Sequence, residues 1–202
     1  MEIKLNSEFE DALREIVTIG AGNAATALSQ MLKKRIDVAV PKVHLLPVAR
    51  ATDVFGSLEE PVTAIYLKIL GDVTGVILFS FNNEYAQKLS DLLLGQEQGT
   101  KRPLDDLSFS AIKEAATILT GSYLSAMSKL LKLRLLISTP GLAQDMAGAI
   151  VSNVLTETSK EADKAIVVDS EFTAENEKVM CYFFFIPDTG STEKLMQAAG
   201  LA

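Results

Sequence analysis

The sequence has very few of the residues that metal and nucleophilic chemistry require. Its 202 residues include one cysteine, Cys181, one histidine, His44, and no tryptophan. A zinc site needs several such ligands together, and a Ser-His-Asp triad needs the histidine, so both are disfavoured. A single cysteine cannot form an internal disulfide, which is typical of a reducing compartment. We expect Cys181, within VMCYFFF, to be a buried strand thiol and His44 to have a structural or surface role.

Other absences concern ligands and membranes. Neither Gly-x-x-x-x-Gly-Lys-Ser/Thr nor Gly-x-Gly-x-x-Gly occurs, so no nucleotide-binding loop is indicated. The net charge of -7 disfavours nucleic acid as a partner, because an acidic surface repels phosphates. Apolar runs such as VTGVILFSF are too short to span a bilayer, and MEIKLNSEFED does not resemble a signal peptide. We therefore expect a cytoplasmic protein with no metal, nucleic-acid or membrane partner.

The sequence does contain an internal repeat. Residues 11–41 and 110–140 align without gaps, and 11 of the 31 pairs are identical. EIVTIGAG in the first copy matches EAATILTG in the second, so that Glu-x-x-Thr-Ile-x-x-Gly occurs twice. Pro41 and Pro140 follow at the same distance from the two motifs. Two copies indicate a duplicated, pseudo-twofold domain rather than a solenoid.

The duplication predicts the fold class. The halves span about residues 8–97 and 104–202, joined by the polar stretch QEQGTKRP, and we treat residues 1–202 as one domain. Apolar residues at helical spacing predict an opening helix in each half, over residues 8–34 and 106–132. We expect an α+β domain whose halves share one mostly antiparallel sheet. The two motif helices should lie side by side on one face of that sheet.

Shorter elements complete the prediction. RIDVAV and RLLIST are strand-like runs that should end at Pro41 and Pro140, because proline cannot donate to a β ladder. Shorter helices are expected near residues 84–94 and 191–199. The segment 141–155 is interpreted as a helix without a counterpart in the first half. Further strands are expected in KVHLLPV, VTAIYLKIL, GVILFSF, KAIVVDSEF and VMCYFFFI.

The repeated motif predicts a polar edge on each helix. Residues three or four apart share a helix face, so each Glu and Thr should lie together with the polar residue four positions before the Glu. A solvated helix surface is the alternative, since each Glu follows a basic residue. Recurrence in the same register favours a functional surface over that alternative. The two edges consist of Asp11, Glu15 and Thr18, and of Ser110, Glu114 and Thr117.

The pattern resembles that of a known family. Asp/Ser-x-x-x-Glu-x-x-Asn followed by 22 residues and Pro, occurring twice, marks the CheC-type chemotaxis phosphatases of the CheC/CheX/FliY superfamily. GAGNAATALS after the first motif is also similar to that family. The resemblance implies hydrolysis of the aspartyl phosphate of the response regulator CheY. It further implies no cofactor of the protein's own, Mg²⁺ carried by the regulator, and the receptor deamidase CheD as a second partner.

The resemblance also implies residue roles. Each Glu should anchor the regulator's active-site Lys, while the motif Asn orients water for in-line attack. Here Thr replaces that Asn in both copies, and Thr is one heavy atom shorter and β-branched, so hydrolysis should be weak. The implied catalytic residues are Glu15, Thr18, Glu114 and Thr117. The supporting motif residues are Asp11, Ser110, Pro41 and Pro140.

A last implied site lies in the second half. The resemblance places Asp145 and Met146 on the surface that binds CheD, on the helix predicted after Pro140. Ordinary core packing of that helix is the alternative. Three interpretations of the whole chain therefore remain open: a phosphatase of phospho-CheY, an adaptor that binds a regulator or CheD without hydrolysis, and an α+β dimerisation domain with neither activity.

Overall fold

The structure is a computed structural model that describes residues 2–97, 102–157, 164–174, 177–188 and 190–200. Five α-helices, one 3₁₀ helix and seven strands lie within these ranges. In chain order they are α1 (Glu2–Leu32), β1 (Ile36–Pro47), the 3₁₀ helix (Val48–Phe55), β2 (Pro61–Gly71), β3 (Gly75–Asn82), α2 (Asn83–Leu94), α3 (Asp106–Leu131), β4 (Leu135–Ile137), β5 (Gly141–Met146), α4 (Ala147–Glu157), β6 (Lys164–Ala174), β7 (Glu177–Pro187) and α5 (Ser191–Ala198).

All seven strands join one antiparallel sheet. Its order is β1-β6-β7-β3-β2-β4, and β5 also pairs with β2. The central pair, β3 and β7, contains one strand from each half. β6 and β1 flank β7 on one side, just as β2 with β4 and β5 flanks β3 on the other. The strands of the two halves are thus related by a twofold axis through the centre of the sheet, and the predicted fold class is confirmed.

The sheet has a separate core on each face. Side chains at alternate positions of β2 show this, because Ile65 and Leu67 join the larger core while Val62 and Ala64 join the smaller one. Helices α1, α2, α3 and α5 cover the larger core, so both motif helices lie on the same face as predicted. The 3₁₀ helix and α4 cover the smaller core. No helix in the described ranges is long and apolar enough to cross a membrane.

Helices α1 and α3 pack very closely where they cross. A Cβ atom added to Gly20 would lie 2.8 Å from the Cα atom of Tyr123, a distance that real side chains do not adopt. Glycine at this position is therefore required by the approach of α3. Both helices end at the same repeat position, where Lys33 and Lys132 have positive φ angles of 52° and 55°. The duplication extends to the way each helix stops.

The sequence predicts that a strand ends at Pro41, but in the structure this strand continues past the proline. β1 continues from Ile36 to Pro47, and the register with β6 shifts between Ala39 and Lys42. Two features allow proline inside this strand: β1 lies at the edge of the sheet, and the irregularity removes the need for a ladder donor. The runs RIDVAV and KVHLLP therefore form one strand instead of two.

The segment 141–155 is also different from the prediction. Its first part is a strand, β5, which pairs with β2, and only from Ala147 does it become helical as α4. The N–H groups of Ala147 and Gly148 donate to the carbonyls of Glu60 and Leu58, both at 2.9 Å, which provides acceptors for the start of the helix.

This segment does have a counterpart in the first half, contrary to the prediction. β4 and β5 pair with β2 as the two parts of β1 pair with β6. The 3₁₀ helix follows β1 as α4 follows β5, and both cover the smaller core. The smaller core is covered by a 3₁₀ helix in the first half and by an α-helix in the second. The sequence similarity between the halves does not extend to these two helices.

Candidate functional site

Both copies of the motif lie on the sides of α1 and α3 that point away from the sheet. Glu15, Thr18 and Glu114 are exposed and Thr117 is half-buried. On α1 the residues next to the motif, such as Ile16, are buried in the larger core. Since both helices cover the same face, the two carboxylates face the same side of the molecule. The two motif copies therefore form one surface, which we call the motif surface: Glu15, Thr18, Glu114 and Thr117.

The two motif copies are well separated on this surface. Contact between Gly20 and Tyr123, combined with the repeat symmetry, implies that α1 and α3 run antiparallel and cross near Gly22 and Gly121. Each motif Glu lies seven residues before that crossing, or about 10 Å along its helix, on opposite sides. We infer a separation of roughly 20 Å between the two carboxylates. A glycosidase-type carboxylate pair is excluded, since such pairs lie within about 10 Å.

The motif carboxylates have no partner within the described part of the chain. Neither Glu15 nor Glu114 forms a hydrogen bond or ion pair with a described residue, although Arg14 and Lys113 are adjacent in sequence. A surface carboxylate that is already paired would have to break that contact before it could bind an external cation. These two carboxylates are free to bind a cationic group from another molecule.

The motif threonines, in contrast, are engaged with their own helices. The Thr18 hydroxyl donates to the carbonyl oxygen of Arg14 at 2.7 Å, and the Thr117 hydroxyl donates to that of Lys113 at 2.8 Å. A threonine hydroxyl has a single proton to donate, so each retains only acceptor capacity towards solvent. In this conformation the hydroxyls can accept a hydrogen bond from water but cannot donate one to it.

The supporting motif residues occupy two different regions. Asp11 and Ser110 are exposed and lie one turn before the motif glutamates, on the same helix side. Pro41 lies inside β1, and Pro140 is half-buried between β4 and β5. The prolines are therefore part of the sheet edges. They do not join the motif surface.

Asp145 and Met146 are the last two residues of β5. Both side chains are exposed, Met146 by 49%. The Oδ1 atom of Asp145 accepts the N–H of Met146 at 2.7 Å. The predicted position on a helix is wrong, because both residues belong to β5, and their assignment to a partner-binding surface stays a prediction.

A cleft that sequence reasoning missed adjoins Asp145. Its volume is about 500 Å³, and it lies between the sheet and α4. No sequence signal could have revealed it, because its walls come from β2, β3, β5 and α4. Apolar side chains dominate its lining, which includes Tyr66, Val76, Leu78, Ile150 and Val154.

The described part of the chain contains no reactive thiol and no group of residues that could form a metal site. Cys181 is fully buried in β7, and burial raises the pKa of its thiol, so the reactive thiolate does not form at neutral pH. His44 is half-buried in β1, opposite Val167. Among the described residues no group of three His, Cys, Asp or Glu side chains could hold a metal ion. The motif surface remains the strongest candidate for function.

Comparison with solved structures places this fold among known ones. FliY of Thermotoga maritima superposes with a TM-score of 0.78 at 21% identity, covering 96% of both chains. A CheX–CheY–BeF₃–Mg complex of Borrelia burgdorferi gives a TM-score of 0.50 at 15% identity, covering 84% of this chain and 96% of that chain. At these identities the likeness concerns the fold alone.

Comparison with known sequences is more specific. Residues 9–45 and 107–143 each match the model of the CheC-like family, one match for each repeat. The CheY-P phosphatase CheC of Bacillus subtilis strain 168 is 38% identical over 200 residues, which cover 97% of this chain and 96% of that protein. The flagellar motor switch phosphatase FliY of the same strain is 32% identical over 136 residues, 66% of this chain and 35% of that protein. This chain therefore belongs to the CheC-like family.

Proposed function

We propose that this protein binds the phosphorylated response regulator CheY on its motif surface and promotes hydrolysis of the aspartyl phosphate. The observation that carries the proposal is a pair of exposed glutamates, Glu15 and Glu114, that have no partner among the described residues. Each lies one turn from a Thr, on helices that cover the same face of the sheet. The similarity to a protein described as a CheY-P phosphatase supports this choice of substrate. Both partners would meet in the cytoplasm.

The chemistry needs little from this chain. Water attacks the phosphorus atom in line with the bond to the regulator's aspartate; that bond breaks, the carboxylate leaves and inorganic phosphate is released. The regulator supplies its own Mg²⁺, which neutralises charge on the phosphoryl oxygens. Glu15 and Glu114 each hold a regulator through its active-site Lys, by a charge-assisted contact. No cofactor or metal of this protein takes part.

The rate should be low because of the two threonines. A group that orients the attacking water contributes by positioning, and its loss lowers the rate by a factor of about 10² or more. Thr18 and Thr117 use their only hydroxyl protons within their helices, at 2.7 and 2.8 Å. They can accept a hydrogen bond from the attacking water, but they lack the reach and the two donors of the Asn amide.

Release of phosphate from a phosphorylated CheY regulator tests this function directly. We expect the protein to accelerate release, and the double variant Glu15→Ala with Glu114→Ala to abolish that acceleration. A matched control is Glu193→Ala on α5, which removes a carboxylate outside the motif. Equal acceleration by the double variant would refute the assignment of these glutamates.

An adaptor without hydrolysis is the second candidate. The engaged threonine hydroxyls favour it, because a site that only binds needs the glutamates and not a water-orienting group. In this case the protein would bind the regulator at the motif surface and CheD at Asp145 and Met146, beside the apolar cleft. Binding of phospho-CheY at an unchanged rate of phosphate loss would favour the adaptor over the phosphatase.

A further inference from the structure

Two glycines beside the motifs are not explained by contacts with any residue that the structure describes. Gly22 and Gly121 are an identical pair in the repeat, and each lies one turn beyond its motif Thr. Both are exposed, and a Cβ atom added to either would meet nothing within 4 Å. Glycine destabilises the interior of a helix relative to alanine. Alanine would fit the isolated protein and would stabilise it, so no contact among the described residues requires glycine at either position.

Gly20 differs from these two glycines, because the fold itself requires glycine there. On the same helix, Gly20 is buried and a Cβ atom there would lie 2.8 Å from the Cα atom of Tyr123. That glycine is needed by the fold, because a side chain would separate α1 from α3. Gly22 lies two residues later on the open side of the helix, where no such constraint acts. The two glycines therefore need different explanations.

The location of the exposed pair suggests what approaches it. Gly22 and Gly121 lie where α1 and α3 cross, at the centre of the motif surface, about 6 Å along the helix from each motif Thr. Without side chains at this point, the backbones of both helices are open to another molecule. Thr18 and Thr117 are short, and their hydroxyls lie against the helix. A partner that contacts these hydroxyls must come close to the helix backbone.

We propose that Gly22 and Gly121 are positioning residues of the motif surface, which admit the main chain of the phosphorylated response regulator close to α1 and α3. The inference rests on the proposed function and adds how the regulator approaches. Glu15 and Glu114 supply charge at the outer ends of the surface, and the glycines set the approach distance at its centre. A methyl group at either glycine holds the regulator away from the neighbouring Thr.

Alanine substitutions separate this role from a structural one. Gly22→Ala and Gly121→Ala, alone and combined, are compared with Ser152→Ala, an exposed helix position on α4 at the other face of the sheet. We expect Tm to rise by about 2–4 °C for each glycine replaced. The Kd for the regulator of the same organism, activated by beryllofluoride and Mg²⁺, should rise at least ten-fold in the double variant. Ser152→Ala should leave that Kd unchanged.

Three further measurements sharpen the test. Gly22→Leu should weaken binding more than Gly22→Ala, because a larger side chain holds the regulator further away. Titration calorimetry of each single alanine variant should show one weakened and one unchanged site, since each glycine serves the nearer motif. In single-turnover phosphate release, we expect a larger change in the regulator concentration needed for half-maximal rate than in the maximal rate.

The outcomes are distinguishable. A double alanine variant with raised Tm and unchanged Kd would overturn the inference and leave the proposed function standing. A lowered Tm together with weaker binding would assign the glycines to folding and would overturn it as well. If the unaltered protein fails to bind the activated regulator, the proposed function fails and the inference fails with it.

Discussion

Replacing the two motif threonines by asparagine should raise phosphatase activity. Thr18 and Thr117 donate their hydroxyl protons to the carbonyls of Arg14 and Lys113. Releasing such a hydrogen bond so that the hydroxyl can act on water costs about 1 kcal/mol. An Asn side chain is one heavy atom longer and has two N–H donors and an acceptor. Because the substitution removes the hydroxyl, Asn can orient water with no hydrogen bond to the helix carbonyl to break.

These differences between the two side chains lead to an expected increase in the rate of phosphate release. A barrier lower by about 1.4 kcal/mol corresponds to a ten-fold faster reaction, so Thr18→Asn combined with Thr117→Asn should accelerate phosphate release ten-fold or more. The roughly 20 Å between the motif copies makes them independent, so each single variant should give about half of the double variant's gain. Thr and Asn have similar helix propensities, and Tm should change little.

The assay is single-turnover release of phosphate from phosphorylated CheY, with binding measured in parallel. Thr26→Asn is the matched control, because Thr26 is exposed on the same helix and its hydroxyl donates to the Gly22 carbonyl at 3.0 Å. We expect no acceleration from that variant. A lower rate in the double Asn variant would mean that Thr is itself the working group. An unchanged rate with binding intact would mean that the protein is an adaptor, and would refute the reasoning from side-chain length.

Four further predictions concern other residues. Replacing Glu15 and Glu114 together by Ala should weaken regulator binding more than ten-fold, since hydrogen bonds to charged groups are worth about 1.5–3 kcal/mol; an unchanged Kd would contradict it. Asp145→Ala should weaken CheD binding while Tm falls by less than about 4 °C, because the carboxylate accepts a hydrogen bond only from the exposed N–H of Met146. A lowered Tm with unchanged affinity would contradict the assignment of Asp145 to a partner-binding surface. Gly20→Ala should destabilise the fold by about 1–3 kcal/mol, as measured by urea unfolding, and a neutral effect would show that α3 can move away. Cys181 should resist alkylation at pH 8 in the folded protein, because burial raises the pKa of its thiol; rapid labelling would show that β7 opens.

The short elements could be predicted where local chemistry decides them. Gly95 ends α2 in the left-handed conformation, and Asn82 begins it by accepting the N–H of Tyr85 at 2.8 Å. Such capping signals act within a few residues and can be read from the chain. The apolar runs of β2 and β3, which are buried at most positions, were likewise readable as two strands joined through Gly71 and Asp72.

Positions that depend on distant neighbours could not be predicted. Whether Pro41 ends a strand depends on its place at the sheet edge and on the irregularity opposite β6, which the local sequence does not encode. The stretch Gly141–Met146 has apolar residues at a spacing that also suits a helix. Pairing with β2 makes it a strand, and the carbonyls of the first half determine where α4 begins.

Some features of the candidate site could likewise be predicted from the sequence, and others could not. The sequence by itself determined the two helices, the repeat and the identity of the glutamates and threonines, because helical periodicity and a duplicated motif are properties of the chain. Only the tertiary structure decided that Gly20 is packed against α3 while Gly22 is open, since the two glycines look alike in the sequence. It also decided that the motif hydroxyls turn back to their own helices. The physical reason is that close approach and hydrogen-bond direction depend on which atoms the fold brings together.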